Sequence, residues 1–246
     1  AGEGVEALRA QRWQLAEQRF AAASRLDPWN GSYAMDLAQV RLVLASAGQS
    51  DTEQVVAAME HALTVQPYRP QLRDRAVALN LLMRRGDEAL EQAQALVWLL
   101  PRHIEAYGPL MDLLAARAEA AMLERRPADA YEALNRLFQL REVVLGLQKR
   151  LELERNPGRL PADRPGLPAE IESALGRAEF LRGRFALAED HLGRAARRPG
   201  ADPEVRIWLA ATRYLAGDTA GADALLQGLG EDARRRFQRL ISLHGF

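Results

Sequence analysis

The chain has 246 residues, of which 48% are hydrophobic and 27% charged, so it is too apolar to be disordered and long enough for one large domain or an elongated array. Lysine and arginine together number 33, as do aspartate and glutamate, and this balance excludes a global field that draws proteins to nucleic acid or anionic lipid. Cysteine is absent, which excludes disulfides, thiolate metal sites and cysteine nucleophiles.

The apolar runs are too short to cross a membrane. A spanning helix needs about 20 apolar residues, and the longest run, around residues 95–100, ends at Pro101. We therefore expect no membrane insertion by this chain. It begins at Ala1 without a methionine or signal peptide, so we expect it to be a piece of a longer protein, with any anchor outside it. The lack of cysteine fits an extracytoplasmic location, and a cytoplasmic one stays open.

The sequence has helical periodicity throughout, with apolar residues three and four apart, few β-branched residues and no alternating stretch. The segment AEQRFAAASRLDPWN, residues 16–30, shows how the predicted helices end. Pro28 disfavours helical geometry at Asp27 and cannot donate the next hydrogen bond, and Asn30 can cap the following helix. Further stops lie at Ala47–Gly48, Gln66–Pro67, Arg85–Gly86, Leu100–Pro101, Arg182–Gly183, Pro199–Gly200 and Gly217–Asp218.

The stops recur with a period of 34 residues. In the N-terminal half, Pro67 and Pro101 are 34 residues apart, and Pro28 precedes Pro67 by 39, which is one period plus a five-residue loop that we place within residues 46–52. In the C-terminal half, LGRAEFLRGRFALAEDHL from Leu175 aligns with LAATRYLAGDTAGADALL from Leu209. The sequence therefore predicts an array of helical repeats.

A 34-residue period with this placement of residues resembles the tetratricopeptide repeat, a helix-turn-helix unit. In the fifth repeat, Leu175 and Gly176 match the pair in the first helix, and Gly183 matches the turn. The second-helix positions of that repeat are Ala188, Leu192 and Ala195. In the first repeat, the turn aromatic, small, large, small, large and closing-proline positions are taken in that order by Trp13, Ala16, Phe20, Ala23, Leu26 and Pro28. The pattern is weaker in repeats two to four, where the turn before Ala89 is short and Arg126–Pro127 replaces a glycine turn.

The resemblance implies an all-α, right-handed superhelical solenoid of stacked antiparallel helix pairs. We count six pairs, at about 1–30, 31–68, 69–101, 102–150, 169–200 and 201–230. A C-terminal capping helix follows from Glu231, with Phe237, Leu240 and Ile241 on an apolar face and the arginines in water.

The stretch RNPGRLPADRPGLP, residues 155–168, interrupts the array because its four prolines prevent a helix. It divides the chain into an N-terminal block, 1–154, of four pairs and a C-terminal block, 169–246, of two pairs and the cap. We interpret it as an exposed connector. A loop that folds back into a groove or docks a partner stays open as the alternative.

Residues that could carry chemistry are dispersed. The histidines, His61, His103, His191 and His244, lie in four segments without a second histidine at the spacing of a helical metal site, so we expect surface or capping roles and no metal. The carboxylates Glu88, Glu91, Glu119 and Glu124 are interspersed with arginines as on solvated helices. The only lysine, Lys149, follows Gln148 where a phosphate-binding loop needs glycine, and we predict no cofactor.

The basic run Arg234–Arg236, with Phe237 and Arg239, is the best candidate for an acidic or nucleic-acid contact. A terminal helix needs a polar outer face in any case, so we expect no nucleic-acid binding. We also expect no enzyme activity in this chain. The alternative, a hydrolase or transferase on a helical toroid, predicts a deep acidic or histidine-containing pocket.

The first helices of stacked pairs line a surface that can bind a peptide or a helix. Residues that the repeat pattern places on or near that surface are Gln39, Leu42, Asn80, Leu81, Asp112, Arg177, Phe180, Arg213 and Tyr214. For the apolar members, core packing is the alternative. We therefore predict a non-enzymatic scaffold for a protein or peptide partner, with self-association through the ends of the array as a further expectation.

The order of the parts is similar to that in the soluble C-terminal region of bacterial O-antigen ligase or polymerase-like membrane proteins. The shared features are the LDPWN turn, the PYRP turn at residues 67–70, a long helical pair, the proline-rich interruption and two tighter repeats. This resemblance implies, as the alternative function, an accessory domain of a membrane glycan-assembly enzyme. The chemistry would then lie outside this chain, and no catalytic residue carries over.

Overall fold

The computed structural model describes residues 2–156 and 166–244, and these parts of the chain contain thirteen α-helices, one 3-10 turn at Ile104–Ala106 and no strand. The helices are α1 (Gly2–Arg9), α2 (Trp13–Leu26), α3 (Gly31–Ser46), α4 (Thr52–Val65), α5 (Pro70–Leu82), α6 (Gly86–Leu99), α7 (Tyr107–Leu123), α8 (Pro127–Arg155), α9 (Ala169–Leu181), α10 (Phe185–Ala196), α11 (Pro203–Leu215), α12 (Thr219–Leu226) and α13 (Glu231–Ser242). The predicted all-α class is confirmed.

The helices pack as consecutive pairs in two compact units, residues 1–100 and 101–246. The first unit contains the pairs α1–α2, α3–α4 and α5–α6, and α3 also contacts α2 and α5. The second contains α7–α8, α9–α10 and α11–α12, with α9 against α7, α11 against α10, and α13 against α11. The six predicted pairs and the terminal helix are therefore all present.

Small side chains allow the two helices of a pair to approach closely. Ala16, Ala89 and Ala188 are completely buried. In the fifth pair, a Cβ added to Gly176 would lie 2.5 Å from Cγ of Leu192, so only glycine fits at that point of the α9–α10 contact. The small residues of the repeat pattern thus have a steric cause.

Each pair has the same turn between its helices, with one residue in the left-handed region of backbone space. The amide after that residue donates to a carbonyl five residues back, as from Arg184 to Glu179 at 2.9 Å and from Arg126 to Ala121 at 2.7 Å. The left-handed residues are Gln11, Gly48, Arg84, Arg125, Gly183 and Gly217. Repeats with a degenerate sequence therefore keep the turn while lacking its glycine.

The end of α2 and the start of α3 agree with the sequence prediction. Helix α2 ends at Leu26, and the amide of Asp27 still donates to the carbonyl of Ala23. The side chain of Asn30 caps α3 by accepting a hydrogen bond from the amide of Ser32 at 3.2 Å. The connection between α3 and α4 comprises residues 47–51 and is two residues longer than the connection 83–85 between α5 and α6. The predicted extra loop is therefore only partly right, because the rest of the longer spacing lies in α3, which has 16 residues where α5 has 13.

Only the two ends of the predicted connector lie in the described part of the chain. Arg155 is the last residue of α8, Leu167 is buried, and its carbonyl accepts a hydrogen bond from Arg198 at 3.3 Å. Residues 157–165 lie outside the described residues. Helices α7 and α9, on either side of the connector, contact each other within the second unit. The division into blocks 1–154 and 169–246 stays a prediction.

Candidate functional site

The candidate site is the surface that the first helices of the second unit form together, α7, α9 and α11, and we call it the first-helix face. Asp112 and Glu119 are seven residues apart on α7 and therefore lie on one side of that helix. Arg177 occupies α9, and Glu204 and Trp208, four residues apart, occupy one side of α11.

Arg177 connects α9 to α7. Its Nη1 donates to Oδ1 of Asp112 at 2.5 Å, and its Nη2 lies 3.8 Å from Oε2 of Glu119. The side chain of Arg177 is only 11% exposed, whereas that of Asp112 is 48% exposed. The predicted site residues Asp112 and Arg177 therefore form an ion pair with each other, and Asp112 keeps part of its carboxylate open to solvent.

The C-terminal helix α13 lies on this face through Arg236. Both terminal nitrogens of that guanidinium donate to the Glu119 carboxylate, with 2.9 Å between Nη2 and Oε2, and Nε donates to Oε1 of Glu204 at 2.7 Å. The hydrogen bond to Glu119 raises the pKa of Arg236 above its ordinary value, while burial acts in the opposite direction. Arg236 therefore links α13 to both α7 and α11.

Two expectations from the sequence are wrong here. Glu119 is not on a solvated polar face, since the residue is 6% exposed, and the side chain of Arg236 is only 23% exposed and pairs with that carboxylate. The cause is long-range pairing between a carboxylate and a guanidinium that are 117 residues apart in sequence, which no local pattern contains. Arg235, by contrast, is exposed and pairs with Asp232 of its own helix, as expected for an outer face.

Trp208 lies at the centre of the polar network. Its ring is completely buried, its Nε1 donates to Oε1 of Glu204 at 3.1 Å, and the Cζ atoms of Arg177 and Arg236 lie 5.3 Å and 5.4 Å from its ring centroid. Such cation–π contacts add to the ion pairs because the ring face is electronegative. Trp208 was not among the residues predicted from the repeat pattern, although a tryptophan four positions after a glutamate in a first helix can be read from the sequence.

Aromatic contacts hold α13 and the residues that follow it. The rings of Phe237 and Tyr214 meet edge to face with centroids 5.6 Å apart, and His244 lies 4.9 Å from Phe180 and 5.3 Å from Phe185. The predicted apolar stripe is confirmed at Phe237 and Leu240, which are 6% and 0% exposed.

The histidines divide into two groups, so the expectation of surface or capping roles is only partly right. His61 and His103 are exposed. His191 is buried, with Nδ1 2.6 Å from Oε2 of Glu172, whose other oxygen accepts from Nε of Arg194 at 3.0 Å. Burial lowers the pKa of His244, and a hydrogen bond to the backbone of Phe180 opposes this shift.

The other predicted site residues lie elsewhere. Asn80 is 1% exposed, with Nδ2 3.8 Å from the sulfur of Met59 on α4, and Arg213 donates to Glu189 on α10 at 2.9 Å. Both therefore face the second helix of the preceding pair. Gln39 lies in the first unit, where it accepts from Nη2 of Arg75 at 3.0 Å.

The apolar candidates differ in exposure. Phe180 is completely buried, as in the core-packing alternative, and Leu42 is partly buried. Leu81 and Tyr214 are 46% and 43% exposed. Of the predicted site residues, the structure thus places Asp112, Arg177 and Tyr214 on or beside the surface on which α13 lies, and it buries Phe180 against His244, which follows α13. Whether these residues bind a partner stays a prediction.

Within residues 2–156 and 166–244, no group of three or more histidine, aspartate or glutamate side chains is arranged to hold a metal ion. Over the same residues, no helix is long and apolar enough to span a bilayer. The polar groups on the first-helix face form ion pairs between helices. These ion pairs stabilise the packing of the helices.

Solved structures share this fold. PilF from Pseudomonas aeruginosa aligns with a TM-score of 0.58 and 14% identity, over 96% of this chain and 93% of that protein. PilW, a type IV pilus biogenesis factor, aligns with a TM-score of 0.56 and 13% identity, over 95% and 94%. A tetratricopeptide-repeat protein of Thermus thermophilus aligns with a TM-score of 0.52 and 22% identity, over 86% and 99%.

These alignments show the fold: it is that of tetratricopeptide-repeat proteins, and the resemblance to the tetratricopeptide repeat is confirmed for the fold. Sequence identities of 13–22% support a shared fold and no shared function. No protein-family model matches the chain. No curated protein matches its sequence. None of the three structures named above is described as an O-antigen ligase or polymerase, and the narrower resemblance stays a prediction.

Proposed function

We propose that the chain is a non-enzymatic protein-interaction scaffold that binds a peptide or helix of a partner protein on the first-helix face. One observation carries the proposal. The face already binds a helix, because α13 is held there by ion pairs to α7 and α11 and by an aromatic contact to α11, and His244, which follows α13, packs on Phe180 of α9. Proteins built from stacked helix pairs commonly present such surfaces to partners.

The composition of the face suits recognition of a protein segment. Tryptophan, tyrosine and arginine carry a large share of the binding energy in protein interfaces, and Trp208, Tyr214 and Arg177 lie together here. Part of the surface is accessible beside α13, since the Asp112 side chain is 48% exposed and Tyr214 is 43% exposed. A partner can therefore contact these two residues first.

The test is selection from a displayed library of random helical peptides, with the full chain immobilised. We expect selected peptides to bind wild-type protein and to lose at least tenfold in affinity with Tyr214→Ala or Asp112→Arg. The matched control for the charge change is Arg197→Glu, at the exposed end of the second helix α10, which leaves affinity unchanged.

Photo-crosslinking supplies a second readout that does not depend on affinity. A photoreactive residue at position 112 is expected to capture the selected peptide, whereas the same residue at position 197 captures none. Peptides that bind equally well to both face variants, or that crosslink only at position 197, contradict the proposal.

A further inference from the structure

Helix α13 of the same chain already occupies part of the proposed partner surface. Its contacts indicate which kind of segment binds there. Without α13, the network on the first-helix face presents the carboxylates of Asp112, Glu119 and Glu204 against the single guanidinium of Arg177. The surplus of negative charge favours a cationic segment. The guanidinium of Arg236 fills this role for α13, because it donates to two of the three carboxylates.

The contacts of α13 define a sequence pattern. Arg236 pairs with Glu119 and Glu204, the next residue, Phe237, packs on Tyr214, and Leu240, four positions after the arginine, is completely buried. Arginine is favoured over lysine at the first position because its planar guanidinium donates two hydrogen bonds to one carboxylate. The face thus accepts a helix with the pattern Arg-Phe-x-x-Leu.

Helix α13 packs mainly on one neighbour, α11, whereas α9 and α11 each pack on several helices. A four-residue connection, residues 227–230, joins it to α12, and Gly228 in that connection has a positive φ of 79°. Its packing is concentrated on α11, and its contact with α7 is the guanidinium of Arg236. Elements held by few contacts open at a lower free energy than the fold as a whole.

We propose that α13 is a displaceable occupant of the first-helix face, and that the partner is a basic amphipathic helix with the same arrangement of arginine, aromatic residue and leucine. This inference rests on the proposed function, since it names the partner of the same surface. Displacement has a defined consequence for affinity: when α13 is docked 99% of the time, the apparent affinity of a competing helix falls by about 100-fold. The short connection also lowers the apparent affinity of a competing helix, because it gives α13 a high effective concentration at the face.

The experiment uses the full chain and a fluorescent peptide with the sequence of residues 229–244, with binding measured by anisotropy. We expect the peptide to bind the Arg236→Ala chain at least tenfold more tightly than wild type, because its own α13 is released. The matched control is Arg235→Ala, whose arginine is exposed and pairs within α13, and it leaves peptide affinity at the wild-type value. A peptide carrying Arg236→Lys is expected to lose at least threefold on the opened chain.

Leu240→Ala is a second variant that releases α13, because it removes a buried apolar contact where Arg236→Ala removes ion pairs. Circular dichroism checks that each variant keeps its helices. Equal peptide affinity for wild type, Arg235→Ala and either folded opening variant overturns the proposal, because α13 would then be a fixed cap. A stable wild-type dimer that the peptide dissociates also overturns it, since the occupant would then be α13 of a second copy.

The two proposals fail in different ways. Library peptides that bind wild type and opened chain equally, and still depend on Tyr214, contradict only the displacement by α13. The absence of any library ligand for the opened chain contradicts the proposed function itself.

Discussion

At the scale of single residues, the left-handed position in the turns accounts for where the repeat pattern is strong and where it is weak. Gly183 and Gly217 have φ values of 72° and 95°, which glycine adopts without strain. Arg84 and Arg125 occupy the equivalent position with φ values of 59° and 57°, a conformation that costs an L residue roughly 1–2 kcal/mol. The turn is therefore maintained by the packing of the two helices on either side.

Arg125→Gly is expected to stabilise the protein by about 1 kcal/mol, because glycine removes the strain while the exposed arginine side chain is lost at little cost. The matched control is Gly183→Ala, at the same position of another turn. No atom lies within 4 Å of the added Cβ there, so the cost is conformational and has the opposite sign. Urea unfolding measures both, and a destabilised Arg125→Gly chain would contradict the assignment of strain.

His244 makes the stability of the C-terminal end depend on pH. Burial lowers its pKa in the folded state below the ordinary value of about 6.5. Above that pH the histidine is neutral in both states. As the pH falls through about 6.5, the unfolded chain takes up the proton first, so stability is lost progressively down to the folded-state pKa.

His244→Phe is expected to remove this part of the acid sensitivity, because phenylalanine can pack on Phe180 and Phe185 without binding a proton. The measurement is the free energy of unfolding of wild type and variant between about pH 8 and pH 5. Their difference should shift in favour of the variant on the acid side. The exposed His61→Asn serves as control and keeps the wild-type pH profile.

At the scale of helices and pairs, the sequence predicted most of the architecture. The six pairs and the cap at Asn30 follow from helical periodicity and from the chemistry of glycine, proline and asparagine, all of which act over a few residues. The pairing of Glu119 with Arg236 could not be predicted in this way, since it depends on α13 returning to α7. Asp112, Arg177 and Tyr214 were therefore named from the repeat pattern as separate residues, whereas the contacts that join Glu119, Glu204 and Arg236 were not predicted.

The contact between paired helices is tested at Gly176. Gly176→Ala is expected to destabilise the protein by about 1–3 kcal/mol, because the new Cβ meets Cγ of Leu192 at 2.5 Å and its backbone nitrogen at 3.1 Å. Gly146, in the long helix α8, has no atom within 4 Å of an added Cβ. Gly146→Ala should therefore stabilise by roughly 0.5–1 kcal/mol in the same urea experiment. Equal effects of the two substitutions would contradict the close approach.

At the scale of the whole molecule, the fold supplies a surface and the C-terminal helix covers part of it. The same residues that keep α13 in place, Glu119, Trp208 and Tyr214, are those that a partner helix would use. Under the proposed function, stability and recognition therefore depend on one set of contacts. A ligand shifts the equilibrium between docked and released α13 only if it binds the face without α13 better than the face with α13 docked. Equal affinity for the two states leaves their populations unchanged.

Hydrogen–deuterium exchange of the full chain tests this claim most directly. The chain is labelled with nitrogen-15, so that its fragments differ in mass from an unlabelled peptide of residues 229–244 added in excess. We predict faster exchange in α13 (Glu231–Ser242) when the peptide is bound, with α7, α9 and α11 exchanging no faster than before. Unchanged exchange in α13 at peptide concentrations that saturate the anisotropy signal would contradict the account, because the peptide and α13 would then occupy different surfaces.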